Sequence, residues 1–256
     1  CPNRDGTLGT RGCLFCDGAG AFAETGDIPA QLARAKARLH GKEGEGRYIA
    51  YFQSFTNTYA PASYLRPLFT AAMAPEEVVA LSVATRPDCL PPEILDLLAE
   101  LNRRKPVWVE LGLQTIHPAN AAYLRRGYEL PVFEEAVRAL RARGIEVIVH
   151  LILGIPGETR EDMIASARYA GQWADGVKLH LLHVLAGTDL AAEYAAGRVR
   201  PLEREEYFSL LEDCLRVLPP SVVIHRLTGD GDKRRLLAPL WSADKKAVLN
   251  AMRRRF

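Results

Sequence analysis

VWVELGLQ, residues 107–114, decides how the rest of the chain is read. Val107, Val109, Leu111 and Leu113 alternate with Trp108, Glu110, Gly112 and Gln114. Alternate side chains of an extended strand point to opposite faces. One face here is therefore aliphatic, and the other carries a carboxylate and an amide. EVIVHLILG (146–154) repeats the pattern: Val147, Val149, Leu151 and Leu153 oppose Ile148, His150, Ile152 and Gly154. In VKLHLLHVL (177–185), Val177, Leu179 and Leu181 oppose Lys178, His180 and Leu182. A doubly wound sheet, covered by helices on both sides, needs both faces apolar. One aliphatic face and one face of Glu, Gln, His and Lys instead fit a barrel or partial barrel, with helices outside and a polar binding interior. Buried ionisable groups are costly unless they pair with one another or meet a ligand.

The series extends through YIAYFQSF (48–55), VVALSVAT (78–85) and VVIHRL (222–227). Amphipathic stretches separate most of these runs. Residues 92–103 stripe Ile94, Leu95, Leu97, Leu98 and Leu101 along one helix face, and 203–218 do so with Tyr207, Leu210, Leu211, Cys214, Leu215 and Leu218. Strands and helices alternating at about 30-residue intervals predict βα units and a parallel sheet. Chemistry in such folds gathers at the C-terminal ends of the strands, here residues 53–58, 85–88, 114–117, 154–159 and 183–188. Within GIPGET, Thr159 is a candidate helix N-cap, with Asp162 at the capping-box position.

The 256 residues need no disulfide to stabilise a core; a chain of this length buries roughly 70–75% of its unfolded surface. With 48% hydrophobic and 25% charged residues the composition is that of a soluble protein. No apolar run approaches the ~18 residues of a membrane span, and no secretory pattern opens the chain; a cytoplasmic protein without membrane contact is expected. The net charge of +2 permits a nucleic-acid partner without predicting one. The basic runs at 233–235 and 253–255 most often mean a solvated helix face. The chain opens on Cys1 rather than Met, so a preceding segment is expected.

Three of the five cysteines, Cys1, Cys13 and Cys16, lie in CPNRDGTLGTRGCLFC, a loop-like stretch with little to build a core. An odd, clustered count makes a poor disulfide framework and suits a reducing compartment. Zinc in a structural site wants four ligands, and no fourth is evident: Cys214 sits on the apolar stripe of a helix, and Cys89 follows the loop after 78–85. Three thiolates suit a [4Fe–4S] cluster with one iron open to another ligand. The spacing alone leaves iron–sulfur, zinc and unrelated thiols open.

The cysteine loop, with aromatic Phe15 before its last cysteine and a parallel βα array behind it, resembles the radical S-adenosylmethionine (SAM) superfamily. The usual spacing there is C-x3-C-x2-C, and this chain has C-x11-C-x2-C. CPNRDGT, together with YFQSFTNTYAP, SVATRPDCL, VELGLQT, HLILGIPGET, KLHLLHVLAGT, HRLTGDG and APLWSADKKAVLN, is similar to the YhcC-type family, related to the Elongator catalytic subunit. The resemblance runs from residue 1 to about 250. It implies an α/β fold, a partial (β/α)6 barrel whose first strand would precede Cys1. Residues 1–200 would form that barrel with its cluster loop, and 201–256 a C-terminal extension of short strand and helix packed on it.

The resemblance also implies chemistry. Cys1, Cys13 and Cys16 would ligate a [4Fe–4S] cluster whose fourth iron binds SAM, and reductive cleavage would yield a 5′-deoxyadenosyl radical that abstracts hydrogen from substrate. Phe15 is placed near the adenine. Gln53, Asn57 and Thr58 end the strand where relatives carry a Gly-Gly-Glu segment for the SAM amino group, from which this chain departs. Glu110 and Gln114 lie on the SAM-facing side. Arg126, or alternatively Arg125, matches a basic position for the SAM carboxylate. His150 stands where relatives place a polar residue near the ribose, and His183 is a further cofactor-side candidate. Strand parity puts Lys178 and His180 inside, as substrate-side proton donors or charge partners, and His183 on the other face unless the strand ends first. A buried polar network that only shapes the barrel is the competing reading. His225, Arg226, Thr228 and Asp230 could close the barrel mouth; His40 and His117 have no assigned role.

The implied substrate is tRNA, at the wobble-uridine side chain on the path to 5-carboxymethylaminomethyluridine, and the implied reductant is a flavodoxin- or ferredoxin-type protein. A radical SAM enzyme acting on a small metabolite or cofactor precursor, and a non-enzymatic metal-binding module, are the alternatives.

Overall fold

The alternation in 107–114 is present in the computed structural model, which describes residues 1–18, 26–39, 46–229 and 231–256. His40 and Asp230 lie outside the described residues. Strand β3 (Val107–Gln114) buries Val107, Val109, Leu111 and Leu113 to 1% exposure or less, while Trp108, Gly112 and Gln114 are half-buried. It belongs to a six-stranded sheet with β1 (Tyr48–Phe52), β2 (Val78–Thr85), β4 (Glu146–Leu153), β5 (Gly176–Leu181) and β7 (Val223–Arg226), in the order β1-β2-β3-β4-β5-β7. A doubly wound sheet reverses its strand order at a switch point. This order never reverses, as the polar face required.

Two compact units divide the chain. The first comprises Cys1–Ala21, Leu113–Leu130 and Ile148–Phe256, and the second Phe22–Gly112 and Pro131–Val147. In the second, β1 pairs in parallel with β2, and β2 with β3. Helices α1 (Ile28–Leu39), α2 (Ala62–Met73), α3 (Pro92–Asn102) and α5 (Leu130–Arg141) flank these strands in sequence, and α3 buries the leucine stripe read from its periodicity. Lys105 fastens the turn before β3 by donating to the carbonyls of Met73, Pro75 and Val78 at 2.6–2.8 Å.

In the first unit, β4 pairs in parallel with β5, and β5 with β7. Its helices are α4 (Pro118–Tyr123), α6 (Arg160–Trp173), α7 (Asp189–Ala195), α8 (Arg204–Val217) and α9 (Lys245–Arg255). The stretch 177–185 is not one strand. The β4–β5 ladder ends at Leu153 opposite Leu181, with Leu182 N–H making a last bond to the Leu153 carbonyl at 2.9 Å. The chain then turns away, and β6 (Val184–Leu185) pairs antiparallel with β8 (Leu236–Ala238) in a second, two-stranded sheet. Among the described residues no helix is long and apolar enough to cross a membrane.

Candidate functional site

The N-terminal loop folds by closing on its own backbone. The amides of Arg4 and Asp5 reach the Cys1 carbonyl at 2.8 and 3.2 Å, those of Leu8 and Gly9 reach Pro2, and Gly12 N–H returns to the Asn3 carbonyl at 2.7 Å. Cys16 N–H donates to the Cys13 carbonyl at 3.0 Å, so these two cysteines bracket one tight turn. Leu14 anchors that turn. It is 4% exposed, its N–H donates to the Leu124 carbonyl, its carbonyl accepts from Leu190, and its side chain packs with Ile152, Ile155 and Leu182. Phe15 packs half-buried against the same cluster. Arg235 holds the far end through Asp17 at 2.9 Å.

Cys1, Cys13 and Cys16 are free thiols at intermediate exposure. The sulfur of Cys13 accepts from Asn3 Nδ2 at 3.3 Å, and that of Cys16 from Arg4 Nη2 at 3.3 Å. Among the described residues no three His, Cys, Asp or Glu groups converge as a single metal ion requires. A mononuclear zinc centre needs such convergence, whereas a cubane carries each thiolate on a different iron. The donor set, three partly exposed thiols with N–H donors on two of them, fits the cluster. Cys89 and Cys214 are different: burial pushes both thiols up to about 12. They are core residues.

Gln114 has a φ of +67°, a left-handed conformation uncommon outside glycine. Thr115 N–H donates back to the Leu113 carbonyl at 2.9 Å, so Gln114 is the centre of a three-residue turn of the strained γ type. Arg126, 5% exposed, clamps that turn. Its guanidinium donates to the carbonyls of Leu113 and Thr115 at 3.1 and 2.7 Å and to Tyr128, whose ring lies 4.5 Å away. Arg126 thus reaches the site through Gln114. Its neighbour Arg125, also left-handed at φ +58°, is partly exposed and pairs with Asp189, as does Arg11. These two partners hold Asp189 below its usual carboxylate range.

On the polar strand face, the rings of His150 and His180 lie 5.0 Å apart between centroids, tilted by 46°. Lys178 is buried, with His150 as its register partner on one side and Arg226 on the other. His183 lies beyond the end of β5, and its ring would meet a Cβ at Gly229 or Gly231 at about 2.9 Å. His225 packs beneath Gly176 in the same way, Thr228 is buried, and His117 caps α4 with its ring on the Asp162 carbonyl.

The loop after β4 carries Glu158, whose carboxyl burial pushes up to about 7. Oε1 accepts from Thr115, and Oε2 has no hydrogen-bond partner among the described residues. It lines a cavity of about 290 Å³ with Gly154, Arg160, Arg198 and Arg200. The expected capping box of Thr159 and Asp162 is formed.

Four candidates belong to the second unit. Gln53 is half-buried just past the end of β1. Asn57 closes its loop, with Nδ2 donating to the carbonyls of Phe52 and Ala84. Thr58, buried, bonds Thr85 and the Cys89 carbonyl. Glu110 accepts from Tyr51 and Ser82, one hydroxyl to each oxygen. Sequence reasoning passed over Tyr51, Ser82, Asn3, Arg4 and Leu14. For Ser82 there was a signal, a hydroxyl inside the apolar run VVALSVAT; for the loop residues there was none.

Comparison with known proteins agrees with this architecture. A model of the radical SAM superfamily matches residues 7–170, and one of the Radical_SAM C-terminal domain matches 174–256. The chain is 44% identical to YtqA of Bacillus subtilis, over 98% of this chain and 80% of that protein. It is 38% identical to YhcC of Escherichia coli K12, over 96% and 80%. Identity to a tRNA uridine(34) acetyltransferase of Dehalococcoides mccartyi is 29%, over 61% of this chain and 34% of that one. The structure of Methanocaldococcus infernus Elp3 superposes with a TM-score of 0.68 at 18% identity, covering 89% and 58%, and so shares the α/β partial-barrel fold. The superfamily works with a [4Fe–4S] cluster and SAM. The chain belongs to the radical SAM superfamily, alongside YtqA and YhcC.

Proposed function

We propose that Cys1, Cys13 and Cys16 hold the [4Fe–4S] cluster, that SAM binds beside them, and that the substrate is tRNA, at the side chain of the wobble uridine. The observation that carries the ligand assignment is the loop itself: three free thiols, anchored through Leu14, with N–H donors on two sulfurs. When bound, cluster and SAM supply one-electron chemistry leading to hydrogen abstraction. A flavodoxin- or ferredoxin-type protein is the reductant in this reading.

The chain's own residues orient and shield. Phe15, on the Leu14 cluster, offers an apolar surface for the adenine. Gln114, held by Arg126, presents its amide to SAM. Arg125 is better placed than Arg126 to meet a carboxylate, because it is partly exposed and, among the described residues, paired only with Asp189, whereas Arg126 is buried and donates to three carbonyls. Lys178 and His180, with His150 beside them, form a polar row that could serve a substrate as proton donors or charge partners. Gln53 and Glu110 belong to the second unit; the proposal rests on first-unit residues.

Two observations support tRNA. Relatives over part of the chain are tRNA uridine(34) acetyltransferases, and α9 exposes Arg253 and Arg254. Anaerobic reduction of the loaded protein with SAM is expected to release 5′-deoxyadenosine. Binding to tRNA is expected to weaken steeply with salt, and tRNA from a deletion strain should lack one modified wobble uridine by nucleoside mass spectrometry. An unchanged nucleoside profile with intact SAM cleavage would point to a small metabolite as substrate.

A further inference from the structure

The eleven residues between Cys1 and Cys13 place two side chains against sulfur. Asn3 is 5% exposed, and its Nδ2 has two hydrogens: one points to Cys13 Sγ at 3.3 Å, the other to the Arg125 carbonyl at 2.7 Å. Arg4 Nη2 grips Cys16 twice, at its sulfur (3.3 Å) and at its carbonyl (3.0 Å). Two glycines shape the seat of that guanidinium. Gly12, at φ +77°, would place a Cβ 2.8 Å from it, and Gly18, at φ +74°, one at 3.3 Å. The backbone closure of residues 2–12 is what turns Asn3 and Arg4 back toward the later cysteines.

We propose that Asn3 and Arg4 are positioning residues that set the reduction potential of the cluster, by donating hydrogen bonds to the sulfurs of Cys13 and Cys16. The inference rests on the reading of the three cysteines as cluster ligands. Reduction adds negative charge that delocalises onto the thiolates. N–H donors on sulfur, one of them from a permanent cation, stabilise that added charge. Outer residues of this kind orient the ligands and tune the metal together. The wide gap thus supplies the donors as well as spanning the loop.

The test uses the full chain, reconstituted anaerobically. Wild-type protein labelled with ¹⁵N-arginine and reduced with dithionite, a one-electron donor, should show a weak ¹⁵N coupling to the cluster by pulsed EPR. Redox titration of Arg4→Met should shift the one-electron equilibrium toward the oxidised cluster about tenfold, or about 59 mV. Arg4→Lys, which keeps the charge and loses the fork, should fall between. A loaded wild-type cluster without the coupling, or a loaded Arg4→Met at the wild-type potential, overturns the inference while the ligand assignment stands. Where Arg4→Met retains no cluster, the coupling and Arg4→Lys decide. A wild-type chain that binds no cluster overturns the ligand assignment, and this inference with it.

Discussion

Two loops of the first unit differ in what fixes their key residues. The cysteine loop is fastened by distant groups: Leu124 and Leu190 bond Leu14, the Arg125 carbonyl receives Asn3, and Arg235 reaches Asp17. The turn at 154–159 adds a local cap to distant contacts of its own, with Asn120 on the Pro156 carbonyl and Thr115 on Glu158. Thr159 and Asp162 cap each other, and Gly154, at φ +92°, fits its bend because a Cβ would press on Leu202 at 3.1 Å. A loop fastened from afar can keep thiols apart and partly exposed until a cofactor joins them, because its order does not depend on them packing together. A locally capped turn gives a helix its start and leaves its own side chains available to line a cavity.

The largest expected effect separates the thiols of the loop from those of the core. Cys13→Ala should abolish the visible iron–sulfur absorbance after anaerobic reconstitution. Cys214→Ala should keep the chromophore and lower stability by about 1–3 kcal/mol, as a small cavity in a buried site does. A Cys13→Ala protein that still binds a full cluster would remove the ligand assignment. Next, Leu14→Ala should cost about 2–4 kcal/mol and release the loop to proteolysis; unchanged denaturant midpoints would mean the anchoring lies elsewhere.

Arg126→Met removes the guanidinium donors from the carbonyls of Leu113, Thr115 and Tyr128, of which Leu113 keeps the Thr115 N–H, at about 1–3 kcal/mol. Because it relaxes Gln114, SAM affinity measured calorimetrically should fall with cluster content unchanged. An Arg126→Met protein with wild-type SAM affinity would return Gln114 to a merely structural role. Glu158 gives a pH signature. Its carboxyl rises from 4.5 to about 7 because of burial, so the native state keeps a proton that the unfolded chain has lost. That contribution is full below pH 4.5 and is lost as pH rises to about 7. Glu158→Gln should therefore gain on wild type across that window, by about 1–2 kcal/mol after allowing for partial exposure. Parallel stability curves would sink the assignment. Thr159→Ala, the smallest effect, should cost about 1 kcal/mol and leave the cysteine loop untouched.

What could be read in advance divides along the same line. Strands β3, β4 and β5 were legible from their local alternation, β1, β2 and β7 from their apolar β-branched runs, and the Thr159–Asp162 box from its spacing. The cysteines stood out as a cluster, and their reading as cluster ligands came from the family resemblance, since spacing alone left zinc and unrelated thiols open. Their sulfur partners were not legible, because nothing near Asn3 or Arg4 in sequence says that a backbone closure at Gly12 will turn them around. Arg126 was legible as a cation, yet its guanidinium reaches residues 113 and 115, a contact that no periodicity records. The end of β5 at Leu181 depends on where β4 stops, so the place of His183 past the strand was a tertiary fact.

The two buried thiols also bear on handling the protein in air. Cys89 and Cys214, pushed up to about 12, carry almost no thiolate at neutral pH, and thiolate is the form that alkylating agents and oxidants attack. Oxygen damage should therefore accumulate on the loop and spare the core. Intact-mass labelling of the folded chain should count three accessible thiols and find the other two only after denaturation, so a preparation that has lost its cluster can be rebuilt as long as those three remain unmodified.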